Sequence, residues 1–195
     1  MMPASRLMAG DMLQDWVDDE KLLAHLFAVE NIMRWFAEKN NLDAREVKKW
    51  GMVGLLHDLD YQDAPDQHCF AAKDAMTEAG YDEDFIRAVM SHEYKVCTDV
   101  EPLSDMEKVL YTVNYLAVLI SEAVMSLPSK DINDLTLEYL KERYNDGEFA
   151  PEANRDVISR GLGMMGSSFE DIAQTSLESM KEIGYSIGLE PDEDD

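Results

Sequence analysis

The chain is poor in cysteine and in positive charge, and it has neither a long apolar run nor an alternating strand pattern. Only 2 cysteines occur in 195 residues. Cys69 and Cys97 have neither metal-ligand spacing nor the density of a disulfide scaffold, which predicts two free thiols and a reducing, cytoplasmic setting. Lys and Arg together number 17 against 41 Asp and Glu, a formal net charge of -24. Such an excess repels nucleic-acid backbones and anionic lipid, so neither nucleic acid nor membrane is expected as a partner. The longest uncharged apolar stretch, near Tyr115 to Ile120, is far below the roughly 18 residues of a membrane span, and the acidic start has no basic secretory leader. Repeats and low-complexity linkers are missing too. What remains, at 46% hydrophobic residues, is enough for one sizeable core: a single domain over residues 1–189 and a frayed acidic tail over 190–195.

The apolar pattern is helical almost throughout. Leu22, Leu26, Val29, Met33 and Phe36 recur at three and four residues, predicting a helix from Lys21 to about Glu38 with His25 at the flank of its apolar face. Asp43 is placed to cap a second helix that runs through Gly51-Met52-Val53-Gly54-Leu55-Leu56 to His57-Asp58. The two glycines, costly inside a helix, would let a neighbour approach closely. Pro65 to about Ala79 predicts a helix carrying His68 and stopped by Gly80; Asp82 then caps one in which Phe85, Val89 and His92 share a face. Ser104-Asp105-Met106-Glu107 is a capping-box pattern opening a long helix to about Ser126, with Leu110, Asn114 and Ala117 along one side and Pro128 beyond its end. Further helices are expected at about Asn133 to Tyr144, at Pro151 to Met165, and at Phe169 to Ile187 behind Ser167-Ser168-Phe169-Glu170. The fold class is an all-α bundle.

The pair His57-Asp58, closing a stretch that reads as buried, carries the chemistry. A carboxylate at a helix C-terminus is disfavoured by the dipole, and burying it calls for a compensating cation. The bland alternatives stand beside that reading: a buried ion pair, or core histidines bonded to backbone. The chain has 4 histidines, and His25, His68 and His92 each fall where a helix brings them toward His57. This convergence points to a metal site. The 13 methionines are core filler.

The order His25, then His57-Asp58, then a polar residue at 114 on a long helix resembles the ligand set of the HD superfamily of metal-dependent phosphohydrolases. The segments His25-Leu26-Phe27-Ala28-Val29-Glu30, Gly54-Leu55-Leu56-His57-Asp58-Leu59-Asp60-Tyr61, Ser91-His92-Glu93 and Pro128-Ser129-Lys130 are similar to the small bacterial HD-domain proteins, over about Lys21 to Leu189. The resemblance implies an HD-domain helical bundle with additional C-terminal helices, holding one or two divalent ions (Mn, Mg, Fe, Zn or Ni) that activate water against a nucleotide or other small phosphorylated molecule. It makes His25, His57 and Asp58 primary ligands, with Asp58 bridging if two ions bind, and puts His68 and His92 where two-metal members supply further imidazoles. Asp60 becomes a candidate proton carrier or supporting group, against the plain reading of a loop cap. Lys130 becomes a candidate phosphate contact, against that of a solvated lysine.

One residue departs from the family. The last ligand there is an aspartate; this chain has Asn114, whose amide oxygen can bind a hard cation without neutralising it. Weaker metal affinity follows. Three function classes are therefore carried forward: a phosphohydrolase, a metal- or ligand-binding domain without turnover, and a di-iron oxygenase, since imidazole-rich sites suit iron.

Overall fold

The computed structural model describes residues 5–191. Among them are nine α-helices and no strand, so the protein belongs to the all-α class. The helices are α1 (Arg6–Trp16), α2 (Glu20–Lys39), α3 (Ala44–Leu56), α4 (Phe70–Glu78), α5 (Glu83–Ser91), α6 (Asp105–Met125), α7 (Leu137–Asn145), α8 (Arg155–Met165) and α9 (Phe169–Lys181). Most begin on the residue type that satisfies free amide groups at a helix start. Asp19 accepts from Leu22 N at 2.8 Å, Asp43 from Arg45 and Glu46, and Asp82 from Phe85 N at 2.8 Å. At α6 the capping box closes in both directions, Ser104 accepting from Glu107 N while the Glu107 carboxylate accepts from Ser104 N.

The pairing of α2 with α3 is the most extensive in the molecule, and a glycine sets its register. A Cβ on Gly54 would lie 2.9 Å from the Val29 carbonyl oxygen, and one on Gly51 2.7 Å from Arg34 Cγ. No side chain fits at Gly54 unless the helices separate. Because position 54 faces 29 and position 51 faces 34, the two helices run antiparallel. One turn further along α3 therefore meets one turn earlier along α2, which puts His57 beside His25.

The central helix is α6, which packs on α2 and, at its back, on α8. There the approach is also tight: a Cβ on Gly161 would sit 2.0 Å from Thr112 Oγ1. By length and composition α6 would suffice to cross a bilayer, but 67% of its apolar window is buried inside the bundle. The core gathers fully buried Leu26, Val29, Leu55, Leu56, Leu110 and Leu116 from α2, α3 and α6. Removing one such leucine side chain costs roughly 2–5 kcal/mol.

Several expected boundaries move. The helix read from Pro65 to Ala79 is a short 3-10 turn at Pro65–Gln67 followed by α4, and His68 lies between them. The chain breaks because Cys69 adopts φ 71 and because Asp60 Oδ2 accepts from Ala72 N at 2.8 Å, capping α4 from a distance. The helix expected from Asn133 begins at Leu137, capped by Thr136, after a 3-10 turn at Ile132–Asp134. The one expected from Pro151 begins at Arg155, capped by Asn154, since the Arg155 guanidinium ties the Ala150 and Ala153 carbonyls into a turn first. The last helix starts at Phe169 as expected, capped by Ser168 onto Asp171, but stops at Lys181, short of Ile187. Helix α1 has no counterpart in the sequence reading; it rests on α3, and Arg6 forks onto Glu30 of α2 at 2.8 and 3.1 Å. Within the expected tail, residues 192–195 lie outside the described residues.

Candidate metal centre

The same local device forms the site twice. His57 ends α3 and His92 ends α5, each at the C-cap. A helix end leaves carbonyls with spare accepting capacity, and both imidazoles use it: His57 Nδ1 lies 2.7 Å from the Gly54 oxygen, and His92 Nδ1 2.5 Å from the Val89 oxygen, which also accepts from the His92 amide at 3.3 Å. A carbonyl only accepts, so a ring proton sits on Nδ1, and Nε2 is the nitrogen that faces inward. His68 reaches the same state by another route, its Nδ1 held 2.8 Å from Asp60 Oδ1.

These Nε2 atoms converge on Asp58, which follows His57 in the turn after α3. On one side, Asp58 Oδ2 lies 3.2 Å from His57 Nε2 and 3.8 Å from His25 Nε2. Asn114 of α6 completes that group, its Oδ1 2.9 Å from His25 Nε2 and 3.2 Å from His57 Nε2. On the other side, Asp58 Oδ1 lies 2.9 Å from His92 Nε2 and 3.4 Å from His68 Nε2. The structure thus brings together His25, His57, Asp58, His68, His92 and Asn114, drawn from α2, α3, α5, α6 and the loop before α4.

Its electrostatics follow from burial and mutual charge. Burial, and then the neighbouring His57, lowers the His25 pKa from 6.5 to about 4. For His57 burial works in the same direction, yet the Asp58 carboxylate and the bonds to it outweigh burial and raise the pKa above 6.5. Burial opposes the ionised form of Asp58 too, but His57 and His92 hold its carboxyl well below the ordinary 3.8. His68 is raised despite burial, chiefly by its bond to Asp60. A carboxylate ionised in the core with imidazole nitrogens around it is an environment built for positive charge.

One expected role narrows to its supporting alternative and another moves. Asp60 is fully buried with both oxygens engaged, one on His68 and one capping α4, so it is a positioning residue and faces no substrate; the loop-cap reading describes half of what it does. Lys130 is exposed, on the turn after α6 at φ 52, with about 16 Å of helix between Asn114 and that end. It does not line the cavity over the site. The lysine that does is Lys21.

That cavity has a volume of about 690 Å³ and exposes His25, Asp58, His68 and Asn114 at its base, with Tyr61, Gln62 and Tyr115 around them. Glu93, to which no sequence motif assigns a role, is buried in its wall: Oε1 accepts from the Tyr115 hydroxyl at 2.8 Å and lies 3.9 Å from His92 Nε2. Adjacency to His92 in sequence was the one available signal for it. Comparison with protein-family models, with curated proteins and with solved structures finds no match for this chain.

Chemically, the buried His and Asp groups could hold a metal ion. Nε2 of His25 and His57, Oδ2 of Asp58 and Oδ1 of Asn114 are four ligand-type atoms facing inward, and a proton or a cation has to lie among them for the cluster to hold together. Imidazole nitrogens with carboxylate and amide oxygens suit a borderline or hard divalent ion.

Proposed function

We propose that the protein is a metal-dependent phosphohydrolase of the HD type, acting on a small phosphoester. The observation that carries this reading is the pinning of Nδ1 on His57, His68 and His92, which turns their Nε2 atoms onto the two oxygens of a single buried carboxylate. His25, His57, Asp58 and Asn114 would hold one divalent ion, and His68, His92 and the second oxygen of Asp58 would offer a place for another. When bound, such an ion supplies an acidified water and polarises phosphate oxygens.

The chain's own residues do the rest. Lys21, in the cavity lining, meets phosphate oxygens, the role that the family resemblance implies for Lys130. Asp60 keeps the His68 ring oriented, and Gly54 and Val89 do the same for His57 and His92 through their carbonyls. Asp19, Glu93 and Glu152 also line the cavity, so a single phosphate is accommodated better than a polyphosphate. A second cavity of about 680 Å³, lined by Leu23, Phe27, Val118 and Leu189, shares Lys21 and His25 with the first and gives room for the organic part of the ester.

Asn114 favours a second reading of the same site, a binding domain without turnover. Its neutral oxygen lies between the two histidines where a carboxylate would neutralise a cation, which leaves the ion less firmly held and the site more attractive to anions. Assay of nucleoside monophosphates, sugar phosphates and p-nitrophenyl phosphate with Mn²⁺, Mg²⁺, Fe²⁺, Zn²⁺ or Ni²⁺ separates the two. Turnover lost in His57→Ala supports the enzyme. Metal and phosphate binding without turnover supports the binding domain, and binding of neither refutes both.

A further inference from the structure

Cys69 and Cys97, 28 residues apart and the only cysteines in the chain, meet beside this centre with Sγ atoms 3.6 Å apart. Nothing in their spacing announces it. Cys69 is brought there by its left-handed backbone, φ 71, directly after His68; Cys97 is brought by the loop after α5, where its amide nitrogen bonds to the Glu93 carbonyl at 3.1 Å. Cys69 is fully buried, whereas Cys97 is exposed and lines the cavity.

The surroundings are donors. Ligand atoms of His68, Cys69 and His92 lie within 4.8 Å of one another, and so do those of His68, Glu93 and Cys97. His68 belongs to both groups. Glu93 uses Oε1 for Tyr115 and turns Oε2 to Cys97 Sγ at 3.9 Å. A tetrahedral ion with metal–sulfur bonds of about 2.3 Å holds two sulfurs roughly 3.8 Å apart. The 3.6 Å seen here is close to that, and far from the roughly 2.05 Å of a disulfide.

We propose that Cys69 and Cys97, beside His68, His92 and Glu93, give the His68 and His92 side of Asp58 a thiol-bearing edge that selects a thiophilic divalent cation of the zinc type. It rests on the reading of that side as a metal site and names the class of metal: sulfur selects zinc, or cobalt as its spectroscopic substitute, over magnesium and manganese. On binding, each thiol passes its proton to solvent and the sulfur lone pair forms the metal bond; no oxidation occurs. Partial burial first, and then the neighbouring carboxylates Glu93, Asp60 and Asp58, disfavour the Cys97 thiolate when no cation is present and raise its pKa to about 11.

The test is Co²⁺ titration of the full chain under a metal-free, non-thiol reductant, read by absorbance. The expected result is a near-ultraviolet thiolate-to-cobalt band that zinc displaces, together with zinc protection of Cys97 from a thiol reagent. Cys97→Ser, at an exposed position, should remove most of the band and weaken zinc at least about tenfold while leaving Mn²⁺ affinity unchanged. Cys69→Ser should do the same, and if it unfolds, Cys97→Ser and the protection assay on the unaltered chain decide. Cobalt bound without the band overturns the thiol site and leaves the histidine and aspartate centre standing. No cobalt bound at all overturns both.

Discussion

The two oxygens of Asp58 face surroundings of different construction. Toward Oδ2 stand His25, His57 and Asn114, carried by α2, the end of α3 and the middle of α6. Their places are set by helix packing, above all by the contact of Gly54 with the Val29 carbonyl. Toward Oδ1 stand His92, at the end of α5, and His68, on an irregular segment held by Asp60. Thiols border this second side and none borders the first. A site assembled from packed helices is fixed by the core. A site assembled on a loop depends on the hydrogen bonds that hold the loop, and a single substitution can release it.

Substitutions can break this comparison or sharpen it. His57→Ala should have the largest effect: both groups use the Asp58 that His57 polarises, so stoichiometric metal and any phosphatase activity should be lost, as read by elemental analysis and assay. Asp60→Asn comes next and should act on one side only. It weakens the hold on His68 Nδ1 and on the start of α4, and should reduce metal affinity at the His68 and His92 side by about 10–100-fold, the usual scale for a residue that orients a ligand. The other side should be unaffected, as separate binding phases in a titration would show.

Asn114→Asp should sharpen the helix-built side. It restores a charge near the cation, worth up to about 4 kcal/mol at an effective dielectric near 20, part of which is offset by repulsion from Asp58. Metal affinity at that side should rise about tenfold or more and any turnover with it; unchanged values would remove residue 114 from the ligand set. The smallest effect is that of pH. His57 stands above 6.5 without metal, so a proton on Nε2 already competes with the cation near neutrality, and metal affinity should fall as pH drops below about 7. His25, at about 4, adds no competition until far more acid. An affinity flat from pH 8 to about 6 would contradict this order.

The helix-built side was legible in the sequence because its signals are local. Three- and four-residue spacing located α2, Asp43 and the capping box at Ser104 located α3 and α6, and the glycines announced a close approach. The loop-built side was legible in its residue types and not in its geometry. His68 was expected on a helix, because Pro65 and Gly80 bracket the segment as helix signals do; the Asp60 side chain overrides them from outside the segment. The cysteine pair had no local signal at all, since only the meeting of two loops brings it together. Helix α1 escaped because it buries only Ala9 and Leu13 within its span, too few for a periodic face. Its anchor is an ion pair with Glu30, a contact between distant segments. Lys130 followed from the family resemblance alone, and nothing in the fold brings it to the cavity.

The central claim is that packed helices gather these imidazoles around Asp58 to hold a cation. An anomalous-difference map from crystals soaked in Mn²⁺ tests it most directly. The account predicts a peak enclosed by His25, His57, Asp58 and Asn114. A map with density only at surface carboxylates, or with the four side chains closed on one another and no peak between them, would contradict it.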